Sequence, residues 1–130
     1  MSAWGNLPWD NDSGADWFGD MFDATKLADH VEATLQLDPQ DMHEEIRAAA
    51  AVVLLLGYTY VWPIKQIDRH LALAADRLEE LLRLDIYAEA PDLVATIREE
   101  IQELRSRIKE PSSVTPQPKP SNTKWWQFWQ

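Results

Sequence analysis

Residues 48–62 read AAAAVVLLLGYTYVW, and the fold depends on how this stretch is interpreted. Its first part, residues 48–56, has no polar side, so it belongs either to a helix buried in protein or to a membrane span. A membrane span needs about 20 consecutive apolar residues, whereas this stretch is shorter and contains Gly57 and Thr59. We therefore predict a buried central helix.

The residues around this stretch indicate where the helix begins and ends. Asp38 precedes Pro39, which favours a helix start because aspartate accepts free backbone N–H groups and proline lacks only a donor that the first position does not need. Gly57 is predicted to end the helix in the left-handed conformation. Pro63 disfavours the helical region for the residue before it. We predict a helix over residues 39–56 and then a short extended linker.

Two shorter helices are predicted ahead of the central one. Ser13 and Asp16 have the spacing of a capping box, and aromatic residues follow them, which predicts a first helix over residues 13–22. Apolar residues at four-residue steps predict a second helix over residues 25–36.

Two longer helices are predicted after the linker. The fourth spans residues 64–84, with Glu79 and Arg83 paired on its outer side. The fifth begins near Pro91 and ends before residue 111, with Glu103 one turn ahead of Arg107. The fold class is therefore all-α: a compact single-domain bundle of about five helices over residues 1–110, with a buried central helix.

Charge is concentrated in the first third of the chain. Residues 1–45 contain eleven carboxylates and one lysine, so their charge of −10 equals the net charge of the whole chain. Such a field repels nucleic acid and anionic lipid and favours a basic partner, although solubility alone would also explain it. The chain has no cysteine and no apparent secretory signal, so we expect a cytoplasmic protein without disulfides.

Four aspartates near the amino terminus are candidate site residues: Asp10, Asp12, Asp16 and Asp20. They fit two interpretations, a surface that attracts a basic partner protein or a carboxylate site for a hard cation in a metal-dependent hydrolase. An EF-hand loop that began at Asp10 would have Ala15 in place of its glycine and Met21 in place of its glutamate. We therefore favour the partner surface and predict no metal ligand.

The three histidines give no catalytic motif. His43 opens a sequence like a zinc-protease helix, but Arg47 stands where the second histidine must lie. His30 and His70 are isolated on helices and are predicted to lie at the surface or half-buried. We predict no catalytic residue and no cofactor.

The carboxyl-terminal segment differs from the rest of the chain. Residues 111–124 are rich in proline and serine and predict a disordered linker. Residues 125–130 are called the aromatic motif, and its rings are Trp125, Trp126, Phe128 and Trp129. Three docking places stay open for it: a pocket on another protein, a groove on its own body or on a second copy, and a membrane surface.

The amino terminus also carries a family resemblance. The residues are Trp4, Gly5, Pro8, Trp9, Asp10, Asn11, Asp12, Asp16 and Trp17. They resemble the signature of the bacterial domain of unknown function 4259 family, and the alanine-rich helix and residues 78–82 resemble the body of that family. The likeness covers about residues 1–110 and implies a small helical domain with no established activity.

These features predict a non-enzymatic protein-binding module, of the immunity or inhibitor type, with an acidic amino-terminal surface and an aromatic docking motif. The oligomeric state stays open. The alternatives are a metal-dependent hydrolase that uses the four aspartates and a scaffold that touches membrane surfaces.

Overall fold

The computed structural model describes residues 5–109, and this part of the chain is an all-α bundle without β-strands. Five α-helices follow in order: α1 (Asp12–Thr25), α2 (Leu27–Leu35), α3 (Pro39–Leu56), α4 (Ile67–Leu81) and α5 (Pro91–Ser106). A short 3-10 helix, Asp85–Tyr87, precedes α5. The prediction of an all-α bundle of about five helices is confirmed. The predicted linker and the aromatic motif lie outside the described residues.

The first helix begins one residue before the predicted start. The side chain of Asn11, rather than that of Ser13, caps α1 by accepting a hydrogen bond of 2.7 Å from the Gly14 amide. The predicted cap at Ser13 is wrong, because Asn11 already satisfies an amide of the first turn. Lys26 then adopts a left-handed conformation, with φ of 57°, and divides α1 from α2.

The start of α3 agrees with the sequence prediction. The Asp38 side chain accepts a hydrogen bond of 3.0 Å from the Gln40 amide, and Pro39 occupies the first turn. The bounds of α3 are those predicted. Met42 has non-helical backbone angles, so the first turn is kinked against the rest of the helix.

The end of α3 differs from the prediction. Gly57 has φ of −80° and is not left-handed, but a Cβ atom there would collide with the Val53 carbonyl oxygen. Glycine is therefore required for space rather than for backbone conformation. The predicted extended linker is also wrong, because the amides of Val61 and Trp62 both donate to the Tyr58 carbonyl at 3.0 Å and form a tight turn.

The central position in the bundle belongs most fully to α4. This helix packs against both α3 and α5, which contact each other less extensively. The fully buried apolar side chains of α4 are Leu71, Ala74, Ala75, Leu78 and Leu81. The prediction that α3 is the central helix covered by the others is wrong, because Leu55 on α3 is 71 % exposed and α4 takes the central place.

Helices α3 and α5 run parallel to each other. Arg47 on α3 pairs with Glu100 on α5 at 3.0 Å. Seven residues further along each of these two segments, Arg107 donates a 2.8 Å hydrogen bond to the Leu54 carbonyl. Matching steps in the same direction on both helices require a parallel arrangement.

Ion pairs connect α4 and α5 along their outer edge. Glu79 pairs with Arg105 at 2.7 Å, and Asp76 pairs with the same guanidinium at 3.0 Å. The predicted pairing of Glu79 with Arg83 is therefore wrong, because α5 brings a cation from the neighbouring helix. The predicted pair of Glu103 and Arg107 is confirmed at 2.8 Å.

Among residues 5–109, none of the helices has both the length and the apolar character that crossing a bilayer demands.

Candidate functional site

Helix α1 carries a row of exposed carboxylates, here called the acidic row: Asp12, Asp16, Asp20 and Asp23. Steps of four, four and three residues bring them to one side of the helix. None of the four forms an ion pair within the part of the chain that the structure describes. The structure thus places three of the four predicted site residues together on an exposed surface and adds Asp23.

Asp10 has a different role from the acidic row. Its carboxylate accepts a 3.0 Å hydrogen bond from the Leu7 amide and closes the turn that leads into α1. Within residues 5–109 there is also no group of three or more histidine, aspartate and glutamate side chains arranged to hold a metal ion.

Trp17 lies on the exposed part of α1 beside the acidic row, three residues before Asp20. Its side chain is 61 % exposed. It meets the ring of Phe18 edge to face, with 5.3 Å between the ring centroids. A large exposed indole beside carboxylates offers apolar area and negative charge to the same ligand.

Aromatic contacts attach α1 to the turn between α3 and α4. Trp9, just before α1, stacks on Tyr58 with 5.2 Å between centroids. Phe22 is buried against Trp62 at 5.0 Å. These contacts fix one side of α1 to the bundle, and the acidic row stays on the exposed side.

A second surface is the groove between α3, the 3-10 helix and α5, here called the α3–α5 groove. It is an open cleft of about 560 Å³. Its apolar surface comes from Ala48, Ala51, Ile86, Tyr87 and Leu93. Small residues on α3 create the depression, and Ile86 is 61 % exposed beside it.

Polar groups border the α3–α5 groove. Arg47 contacts both carboxylate oxygens of Glu100, at 3.0 and 3.4 Å. The Tyr87 hydroxyl lies 3.4 Å from His43 Nδ1. Burial raises the pKa of Tyr87, so its hydroxyl keeps its proton at neutral pH and can donate it to that nitrogen in a hydrogen bond.

The sequence prediction missed this groove. The signal was the pair Ala48 and Ala51, two small side chains on one side of a helix that was interpreted as buried all round. What sequence could not show is that α5 packs mainly on α4 and leaves this side of α3 open.

His70 is part of a buried polar network and is fully enclosed. Trp62 Nε1–H donates to His70 Nδ1 at 2.9 Å, and His70 Nε2 lies 2.9 Å from a Glu32 carboxylate oxygen. Because the indole can only donate, Nδ1 must accept, and Nε2 of the neutral ring carries the hydrogen. The prediction of a surface or half-buried His70 is wrong.

Glu32 ends this network at the surface. Its second carboxylate oxygen lies 2.9 Å from the Arg69 guanidinium. Hydrogen bonds from Arg69 and then from His70 lower the pKa of Glu32 to about 2. Both nitrogens of His70 are occupied and shielded from solvent, so the network stabilises the contact of α2 with α4 rather than offering a base to a substrate.

The remaining predicted site residues, Trp125, Trp126, Phe128 and Trp129, lie outside the described residues. Comparison of the chain with protein-family models, curated proteins and solved structures found no match. The resemblance to the domain of unknown function 4259 family therefore stays a prediction.

Proposed function

We propose that this protein is a non-enzymatic binding module whose α1 surface receives a basic protein. The observation that carries the proposal is the acidic row, four exposed carboxylates without an ion pair in the described chain. Proteins of the immunity or inhibitor type, which neutralise a basic partner, are the class that this surface fits.

Electrostatics gives the acidic row a long reach. Charges without local counter-charges set up a field that steers an oppositely charged protein and raises its association rate. That field decays over about 10 Å at 0.1 M salt. The association rate is therefore expected to fall steeply as salt is added.

Trp17 supplies the short-range part of the contact. Tryptophan is among the residues that most often dominate binding energy at protein interfaces. Its indole face also attracts lysine and arginine, and Asp20, three residues further along the helix, can pair with the same cations. Attraction at a distance and an aromatic anchor thus occupy one surface.

Two triple variants with equal net charge test the proposal. The first removes Asp16, Asp20 and Asp23 as asparagines and spares Asp12 in the first turn of α1. The control, Asp85→Asn with Glu89→Gln and Glu99→Gln, removes three exposed carboxylates elsewhere. Wild type and both variants are immobilised, and proteins retained from the native cell extract at low salt are identified by mass spectrometry.

We expect one basic protein to be retained by wild type and by the control but not by the α1 variant. Its association rate, measured with the purified protein, should fall with salt for wild type and depend less on salt for the α1 variant. Circular dichroism must show equal helicity for all three proteins. If both variants retained the basic protein equally, steering by α1 would be rejected, and the net charge of the protein would be enough to explain the binding.

A further inference from the structure

The carboxyl-terminal end of the described chain lies close to the end of α3. Arg107 donates to the carbonyl of Leu54 at 2.8 Å, and the Lys109 ammonium bonds to the Thr59 hydroxyl at 2.6 Å. The Lys109 amide also donates to the Asp68 carboxylate of α4 at 3.2 Å. Since α3 and α5 are parallel, the chain leaves the bundle beside the carboxyl-terminal end of α3, past Ala51, the last α3 residue that lines the groove. The groove runs back from this exit.

The chain beyond the exit is long enough to return along the groove. From Leu54 to Ala48 the helix rises about 9 Å, and to Glu44 about 15 Å. Residues 110–124 separate the exit from the aromatic motif. Fifteen residues span on the order of 20 Å as a flexible coil. A tether whose typical length matches the distance to its site gives a high effective concentration there.

The groove and the surface towards the exit are apolar. Ala48 and Ala51 line the groove, and Leu55 follows Ala51 by four residues, one turn nearer the exit. Leu55 is 71 % exposed, and Ile86 is 61 % exposed at the other wall. The cleft volume of about 560 Å³ lies within the range of sites that enclose ring-containing ligands.

Charge favours the same placement. The sequence after Glu110 contains no carboxylate side chain, and its two charged side chains are Lys119 and Lys124. Lys124 directly precedes the first ring of the motif. Glu44 borders the groove and forms no ion pair within residues 5–109, so a lysine that arrives with the motif meets a carboxylate without a competing cation.

We propose that the aromatic motif of each chain docks into the α3–α5 groove of the same chain. The rings cover the open side of α3, and Lys124 faces Glu44. This inference goes beyond the proposed binding of a basic protein, and it requires neither that partner nor α1.

Cysteine cross-linking tests the proposal, because the 130-residue chain has no cysteine of its own. The test variant combines Ala48→Cys in the groove with Gln127→Cys in the motif. The control combines Ala24→Cys, an exposed alanine on α1, with the same Gln127→Cys. Disulfide formation under mild oxidation is followed by mass spectrometry, and non-reducing electrophoresis separates monomer from dimer.

We expect the test pair to form an intramolecular disulfide on the order of tenfold faster than the control pair, as docking raises the effective concentration of the two thiols. A disulfide between two chains would overturn docking within one chain in favour of a second copy. Equal rates for both pairs would show that the motif does not occupy the groove.

Nuclear magnetic resonance gives an independent readout that leaves the bundle unchanged. Alanine replaces Trp125, Trp126, Phe128 and Trp129 in the full chain. We expect amide shifts to change at Ala48, Ala51 and Ile86 and to stay constant on α1. Unchanged amide shifts in the groove would overturn the proposal.

The role of Lys124 is tested by adding Glu44→Lys to the cross-linking pair of Ala48→Cys and Gln127→Cys. This change should slow the cross-link, and an unchanged rate would reject the role of Lys124.

Discussion

Helices α1 and α5 are both amphipathic and similar in length, yet they use their charges differently. Ion pairs join α5 to its neighbours: Glu100 pairs with Arg47 on α3, and Arg105 pairs with Glu79 on α4. The acidic row of α1 has no such pairs among the described residues. Charge on α5 therefore helps to fix the packing of neighbouring helices, whereas charge on α1 is available to a ligand.

Burial separates the two helices in the same way. Helix α5 contributes Ile97, Ile101 and Leu104 to the core, whereas Phe22 is the buried residue of α1. We conclude that α5 stabilises the bundle and that α1 mainly presents a surface. Three experiments can break or sharpen this contrast.

The largest expected effect comes from the core side of α5. Leu104 is fully buried, so Leu104→Ala should lower the free energy of unfolding by about 2–5 kcal/mol. The matched change on α1 is Trp17→Ala, which should alter it by less than about 0.5 kcal/mol because this side chain is largely exposed. Urea denaturation measures both. A large loss for Trp17→Ala would contradict the assignment of α1 as a presenting surface.

A carboxylate with partners should behave differently from the acidic row when the pH is lowered. The pKa of Glu32 is about 2 in the folded protein and 4.5 as its ordinary value, so the unfolded chain binds the proton more readily. The stabilisation from Glu32 is therefore complete above pH 4.5 and is lost as the pH falls towards 2.

The variant Glu32→Gln isolates this contribution. At pH 7 it should lower the free energy of unfolding by about 1–3 kcal/mol, because Arg69 and His70 lose a charged acceptor. The difference from wild type should shrink between pH 4.5 and 2. Asp20→Asn is the control: it removes a carboxylate without an ion pair in the described chain and should change the free energy of unfolding at pH 7 by less than about 0.5 kcal/mol. Parallel behaviour of the two variants would remove the contrast between paired and free carboxylates.

The smallest effect is expected at the edge between α4 and α5. Arg105 pairs with Asp76 and Glu79, but all three side chains are substantially exposed. Arg105→Ala should therefore lower the free energy of unfolding by about 0.2–1 kcal/mol, and added salt should reduce the difference. A double-mutant cycle with Glu79→Ala measures the coupling. A coupling of zero would show that this pair does not help to hold α5 in place.

Local sequence patterns were sufficient for the helices and for the acidic row. The spacing of apolar residues predicted five helices, and the bounds of α3 agree with the structure. The start of α3 was predictable because its capping contacts lie within three residues of each other. Asp12, Asp16 and Asp20 share one side of α1 simply because of helical periodicity.

The wrong predictions mostly concern contacts between distant segments. Glu79 pairs across to α5, and His70 is buried because Trp62 and Glu32 supply partners from elsewhere in the chain. The α3–α5 groove was missed for a similar reason, since the open side of α3 depends on where α5 packs. The cap of α1 is a local exception: Asn11 and Ser13 are both residues that can cap a helix, and Asn11 is the one that does so.

The ring of Tyr58 has a consequence for local unfolding. Trp9 stacks on it, and the Arg107 guanidinium lies 4.1 Å from its centroid, so the segments that flank the described bundle meet at one side chain. Besides this ring, α1 is held by Phe22 against Trp62 and by Phe18 and Met21, which pack on the core. We expect the amides of α1 to exchange with solvent through an opening of that helix alone, at a lower free energy than the amides of α4. A ligand that grips α1 would then slow this exchange in a helix that adds little to the core.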